Sequence, residues 1–200
     1  MIKIIKISLS TIIIFFSVIS SLMPSFENNT LTLGDKNSKI TIKVFSSLTC
    51  PHCASFHNKI FDGLKKNYID TNKVKFEHHS FPLDLAALNA EIMLRCLENK
   101  QKKFLMLSEI YKRQDQWAVG SDINKINKSL KKIGLNFNLD SLKIDKCIAN
   151  EDIQDKILNE RINAQKKYNI SSTPTIIVNE TKYEGSHDYQ SFKKMLNKLL

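Results

Sequence analysis

The sequence predicts an α/β protein whose sheet is interrupted by a large all-helical insertion, and three observations carry this. Short alternating segments over residues 40–45 and 74–81 read as strands, and the spacing turns helical from 83 to about 168 with no strand inside. A strand pattern returns at 174–179. With 200 residues, the chain holds one domain with a sizeable core, or a smaller domain carrying an insertion.

The elements follow in order. The opening MIKIIKISLSTIIIFFSVISSLMPS sets Lys3 and Lys6 ahead of an apolar run over 12–19, then Ser20 and Ser21. This is the layout of a secretory signal over residues 1–23. Its Ser-rich end, in place of A-x-A, leaves an uncleaved membrane anchor as the alternative, and either way the bulk of the chain is expected outside the cytoplasm. After SFENNT and LTLG, Ile40, Ile42 and Val44 alternate with Thr41 and Lys43, and Phe45 extends the apolar set. CPHC follows, and Phe56, Ile60, Phe61 and Leu64 then recur at helical spacing as far as Tyr68. The CxxC thus stands where a strand hands over to a helix. VKFEHHSF supplies the second strand, ended by Pro82.

In LDLAALNAEIMLRCLENK, Leu85, Leu88, Ile92 and Cys96 fall on one helical face, and four further stretches repeat the helical pattern up to Tyr168. PTIIVN returns to strand, with a short partner near Lys182 and Tyr183 and a turn at Gly185 and Ser186. A last helix from about Asp188 to Leu200 should bury Tyr189, Phe192, Met195 and Leu196. Residues 30–82 and 170–200 therefore form one unit, and 83–169 an insertion into it.

The net charge of +10 invites a nucleic-acid role. Of 30 basic residues, however, only Arg95, Arg113 and Arg161 are arginines, the lysines are scattered, and no aromatic residues interleave as stacking platforms. Solvated lysines explain the charge better, and no nucleic acid is expected as a partner.

Four cysteines in an exported chain form an even set, the arithmetic of disulfides in an oxidising compartment. A hydrophobic fraction of 42% argues against a small scaffold held together by bridges. Cys96 and Cys147 lie in the helical block beside apolar neighbours and are expected to form a structural disulfide. Cys50 and Cys53 form the CPHC motif, which alone admits a redox pair, a structural bridge or part of a metal site. At a helix start, Cys50 would be the exposed nucleophile and Cys53 the tucked-in resolving thiol. Unsatisfied N–H groups and the helix dipole favour a thiolate there. Pro51 suits a position that can spare its N–H, and His52 can add a charge or a donor. A stabilised thiolate makes the disulfide an electron acceptor.

More than a hundred residues later, SSTPTIIVN places Thr173 and Pro174 at the start of a strand. A cis proline there can press against the disulfide and leave the preceding backbone open to pair with a substrate. Together with the exported CxxC, this favours redox chemistry.

FSSLTCPHCASF, STPTIIVN and LRCLENKQKKFLMLSEIYKRQDQW in this order resemble the bacterial thiol:disulfide interchange proteins of the DsbA type, a thioredoxin fold with an inserted helical domain. The resemblance spans residues 30–200. It implies that Cys50 forms the mixed disulfide with reduced exported clients, Cys53 resolves it, His52 tunes the potential, and Pro174 after Thr173 is the cis proline beside them. It also implies a monomer in the periplasm, no cofactor, and reoxidation by a membrane quinone-linked partner of the DsbB type. The same fold serves isomerases and reductases, which stand as the alternative activity; efficient isomerases of this class add an N-terminal dimerisation domain, for which the chain has little room. Many relatives carry a buried acid beneath the active site where this chain has Val44, so the fate of the Cys53 proton is open.

The other class of function is copper or zinc binding through Cys50, Cys53, His57, His78 and His79. His57 reads as a helix-surface residue, and His78 and His79 point to opposite sides of a strand, so they cannot both ligate. Trp117 reads as core of the insertion, and Leu48 as an exposed apolar residue lining a client groove.

Overall fold

The structure, a computed structural model, describes residues 30–200. The leader expected over 1–23 lies outside the described residues. Within them, no helix is long and apolar enough to cross a membrane.

β2 (Ile40–Ser46) occupies the middle of a five-stranded sheet of order β1-β3-β2-β4-β5. It runs parallel to β3 (Val74–Ser80) and antiparallel to β4 (Thr175–Val178). A central strand is covered on both faces, which is why Ile40, Ile42 and Val44 on one side and Phe45 on the other are all buried. β5 (Thr181–Lys182) forms one edge. β1 (Leu31–Leu33) forms the other, antiparallel to β3. The sequence reading assigns no strand to LTLG, because three residues are too few for an alternation to register.

Parallel pairing of β2 with β3 demands a crossover, and the chain between them is helical throughout. α1 (Pro51–Phe56) and α2 (Asp62–Leu64) are each followed by a widened π-helical turn, His57–Phe61 and Lys65–Ile69. A wider turn brings consecutive residues to one face, and Ile60 with Phe61, then Tyr68 with Ile69, are both buried pairs. Gly63 is required where the C-terminal helix α9 (Tyr189–Leu199) crosses, since a Cβ there would stand 2.5 Å from Tyr189 Cε2. α9 buries Phe192 and Leu196 fully, whereas Tyr189 and Met195 are only partly covered.

The insertion consists of α3 (Leu85–Arg95), α4 (Lys100–Lys112), α5 (Gln114–Trp117), α6 (Ile123–Leu135), α7 (Ser141–Ile148) and α8 (Glu151–Tyr168). Asp84, Asn99, Asp122, Asp140 and Asn150 each accept a backbone N–H at a helix start, so Asp and Asn divide this long helical stretch into its members. Leu88, Ile92, Met106, Leu107, Trp117 and Leu130 pack in one continuous core with the sheet residues Ile42, Val44 and Phe76. Trp117 is buried, its indole N–H donating to the Ile110 carbonyl at 2.8 Å. Leu85 departs from expectation: at the first residue of α3 it lies beyond the surface the helix covers and is exposed. Cys96 and Cys147 are bridged, joining the end of α3 to the last turn of α7.

Candidate active site

Beyond β2 the chain turns tightly, the Cys50 N–H donating to the Ser47 carbonyl at 3.1 Å. Cys50 is the N-cap of α1, extended at φ −78° and ψ 120°, and Pro51 takes the first helical position. No side-chain oxygen caps this helix. The backbone N–H groups of His52 and Cys53 lie close enough to stabilise an anion on the Cys50 sulfur. Both cysteines are free thiols. Pro51 and the His52 side chain are exposed beside them.

The Thr173–Pro174 peptide is cis and lies against this turn. The Cys50 thiol donates to the Thr173 carbonyl at 3.3 Å. The Thr173 hydroxyl is buried without a conventional partner among the described residues, facing the two sulfurs. Cys50 is consequently more covered than a first-turn nucleophile was expected to be: only 8% of it is exposed, because the Thr173 backbone closes over it.

The two thiols are driven apart. The hydrogen bond from Cys53 pulls Cys50 down to about 5, with the Thr173 hydroxyl and the two backbone N–H groups acting in the same direction against burial. Burial pushes Cys53 far above the usual thiol range, and the neighbouring Cys50 charge adds to this. Bringing a thiol from about 8.5 to about 5 takes roughly 5 kcal/mol. A helix N-terminus supplies at most about 2 kcal/mol. Hydrogen bonds aimed at sulfur carry the rest.

Beneath the pair, Val44 is buried opposite His78 in the β2–β3 register. A buried carboxylate is nevertheless present nearby, delivered by the insertion. Glu91 of α3 lies 2.9 Å from His78 Nε2 and accepts from the Ser80 hydroxyl at 2.8 Å, all three residues being buried. Tyr111 of α4 is buried, its hydroxyl unpartnered among the described residues, and burial above all pushes its phenol up, so it stays neutral. The sequence signal for Glu91 was visible: a carboxylate within the apolar run LAALNAEIML.

His57 corrects the sequence reading. It is buried, stacked on Phe61 with centroids 4.5 Å apart, and its Nε2 lies 2.8 Å from Ser108 Oγ. Four residues after the buried Cys53, it faces the same side of the helix. Burial, then the adjacent His78, pushes its imidazole down to about 3. His79 is engaged elsewhere, with Glu77 at 2.9 Å. No group of three or more His, Cys, Asp or Glu side chains poised for a metal occurs among the described residues.

Several neighbours of the cysteines escape a sequence reading. Thr49 donates to Asp84 Oδ2 at 2.7 Å, so the N-cap of α3 also holds the active-site turn. Leu48 is fully buried and lines nothing, since its side chain points into the core. The exposed apolar residues here are Leu83 and Leu85 on either side of Asp84. Gln114 of α5 donates to backbone carbonyls of the active-site turn. His187 stands against Phe56, and burial followed by the neighbouring His52 lowers its imidazole.

A thiol pair at a helix start is thus faced by a cis Thr-Pro peptide. A family model described as thioredoxin matches residues 27–198. The chain belongs to the thioredoxin family. Within that family its likeness is to the DsbA type. The crystal structure of Wolbachia pipientis alpha-DsbA1 superposes with a TM-score of 0.78 at 29% identity, covering 86% of this chain and 91% of that one. Disulfide bond formation protein D of Bacillus subtilis is 28% identical over 84% of this chain and 76% of its own length. A proposed protein-disulfide oxidoreductase of Rickettsia bellii is 33% identical over 80% of this chain, which spans only 60% of that relative's length.

Proposed function

We propose that the protein is a thiol:disulfide oxidoreductase that oxidises dithiols of exported client proteins in the periplasm, using Cys50 and Cys53. The observation that carries this reading is geometric: two free thiols at the start of α1 lie against the cis Thr173–Pro174 peptide, with the Cys50 thiol donating to the Thr173 carbonyl at 3.3 Å. In the oxidised form, a client thiolate attacks the Cys50 sulfur, the Cys50–Cys53 bond breaks, and Cys53 leaves and takes up a proton. A second client thiolate then attacks the client sulfur of the mixed disulfide and expels Cys50 as a stable thiolate. The client loses two electrons and two protons, and the Cys50–Cys53 pair ends reduced. A good leaving group at Cys50 favours release of the oxidised client.

In this reading Thr173 and Pro174 flank the mixed disulfide, and His52 presents a titratable group beside it. Reoxidation falls to a membrane quinone-linked protein of the DsbB type, as the likeness to DsbA and disulfide bond formation proteins supports. The Cys96–Cys147 bridge is structural.

The deciding measurement is the equilibrium of the Cys50–Cys53 disulfide with glutathione. A potential near the value of about −120 mV known for DsbA supports the oxidase direction, and one near thioredoxin's value of about −270 mV overturns it in favour of a reductase. A scrambled-disulfide substrate assayed in parallel separates isomerisation from oxidation.

A further inference from the structure

Gln114 belongs to the insertion, in the short helix α5, yet its side-chain amide reaches the active-site turn. Its Nε2 donates to the Leu48 carbonyl at 2.7 Å and to the Cys50 carbonyl at 3.1 Å. Two carbonyl acceptors settle the orientation of the amide, because its own oxygen turned toward them would set three acceptors against one another. The Cys50 carbonyl already accepts the first helical bond of α1, from the Ala54 N–H at 3.1 Å. Gln114 therefore adds a second donor to the carbonyl of the cysteine held as thiolate, and one to the carbonyl two residues earlier.

The position of Gln114 is set by the insertion rather than by the turn. α4 ends at Lys112, the C-cap Arg113 at φ −104° and ψ 20° redirects the chain, and α5 is pinned by the buried Trp117 three residues after Gln114. The amide is thus presented by an element with its own anchor. Thr49, between the two carbonyl-bearing residues, is in turn bonded to Asp84 ahead of α3. The turn is gripped from two parts of the insertion.

From this geometry we infer that Gln114 is a positioning residue of the redox centre: by donating to the carbonyls of Leu48 and Cys50, it holds the turn and lowers the negative potential those oxygens impose on the Cys50 thiolate. Carbonyl oxygens are the negative ends of their dipoles, and an N–H on each offsets that end close to the sulfur. The inference rests on the thiol–disulfide reading above and adds to it that the helical insertion sets part of the oxidising power. No chemical step passes through Gln114.

The test uses the full chain with Gln114→Met, Gln114→Glu and Gln114→Lys. Methionine keeps the length and removes the donors, glutamate keeps the shape but can only accept when ionised, and lysine restores a donor with positive charge. The readouts are the Cys50 thiolate titration by ultraviolet absorbance, the equilibrium constant with glutathione, and the melting temperature of both redox forms. Gln114→Met should raise the thiolate midpoint and shift the equilibrium about two- to ten-fold toward the disulfide, the scale of one ordinary hydrogen bond. Gln114→Glu should shift both further in that direction, and Gln114→Lys should move them the opposite way from Gln114→Glu. A purely structural role lowers the melting temperature without this reversal of sign. Unchanged midpoints and equilibria in Gln114→Met, or shifts of the same sign in Gln114→Glu and Gln114→Lys, overturn the inference. Should the methionine variant fail to fold, the charged pair still decides it. The wild-type equilibrium tests the oxidoreductase reading separately, since the role of Gln114 is read only from differences between variants and wild type.

Discussion

Cys50 with Cys53 and Cys96 with Cys147 are chemically the same pair of groups placed at opposite ends of helices. Cys50 caps the N-terminus of α1, where unpaired N–H groups and the positive end of the dipole meet its sulfur. Cys96 caps the C-terminus of α3, with its Sγ 3.2 Å from the Ile92 carbonyl oxygen, and Cys147 lies in the last turn of α7. A thiolate is stabilised at the first location and opposed at the second. Reduction yields thiolate, so under the proposed function the Cys50–Cys53 disulfide is the electron acceptor, while Cys96–Cys147 keeps its bond. Helix polarity thus adds to the hydrogen bonds on Cys50 in setting the two pairs apart.

The sharpest break of this comparison is Cys50→Ser, which should reduce dithiol oxidation to the uncatalysed level. Cys53→Ser should instead accumulate mixed disulfides visible on non-reducing gels. If Cys50→Ser retained activity, the N-terminal position would not be the reactive one.

Next in size is pH. The folded pKa of Cys50, about 5, lies below the unfolded value of about 8.5, so its contribution to the reduced fold is complete above about 8.5 and disappears as pH falls through 5. Between these limits, the stability of the reduced form relative to the oxidised form should fall by roughly 5 kcal/mol. Urea denaturation of both forms across this range checks the slope, which a Cys50→Ser protein should lose.

Glu91→Ala should cost about 3–5 kcal/mol, because it leaves His78 and Ser80 buried without their shared acceptor. A shift in urea midpoint would measure it, and a loss under 1 kcal/mol would mean that α3 is not held to β3 through this contact. Replacing both Cys96 and Cys147 by alanine should cost at most about 4 kcal/mol, as expected for a loop of 51 residues. The glutathione equilibrium of Cys50–Cys53 should then stay unchanged, which keeps the two pairs independent. The smallest effect belongs to Asp84→Ala, which removes the cap of α3 for about 1 kcal/mol. Because Asp84 also holds Thr49, a small change in the thiolate titration should accompany the lower melting temperature.

What was legible in the sequence follows from locality. The order of strands and helices, the single helical block and the CPHC motif at a helix start are carried by residues near one another in the chain, where periodicity and turn chemistry act. Export, read from Lys3, Lys6 and the apolar run after them, was drawn from the sequence alone. Thr173 and Pro174 were legible as a strand start, although more than 120 residues separate them from Cys50. Packing set the rest. The short β1 has no pattern of its own and exists because β3 offers it an edge. His57 and Leu48 look like surface residues until α4 and the sheet cover them, and Leu85 looks buried until it is seen at the first position of α3, just ahead of the buried Ala86. The buried Glu91 comes from α3, bonded to His78 and Ser80 of β3, and Gln114 joins the active site from a polar stretch, KRQDQW, with no periodic signal. By itself the sequence determined the class of fold and singled out the Cys50–Cys53 pair, since both are written in short-range patterns. Only the tertiary structure decided which distant donors and carboxylates surround that pair, because burial and hydrogen bonding between remote segments depend on how the insertion packs against the sheet.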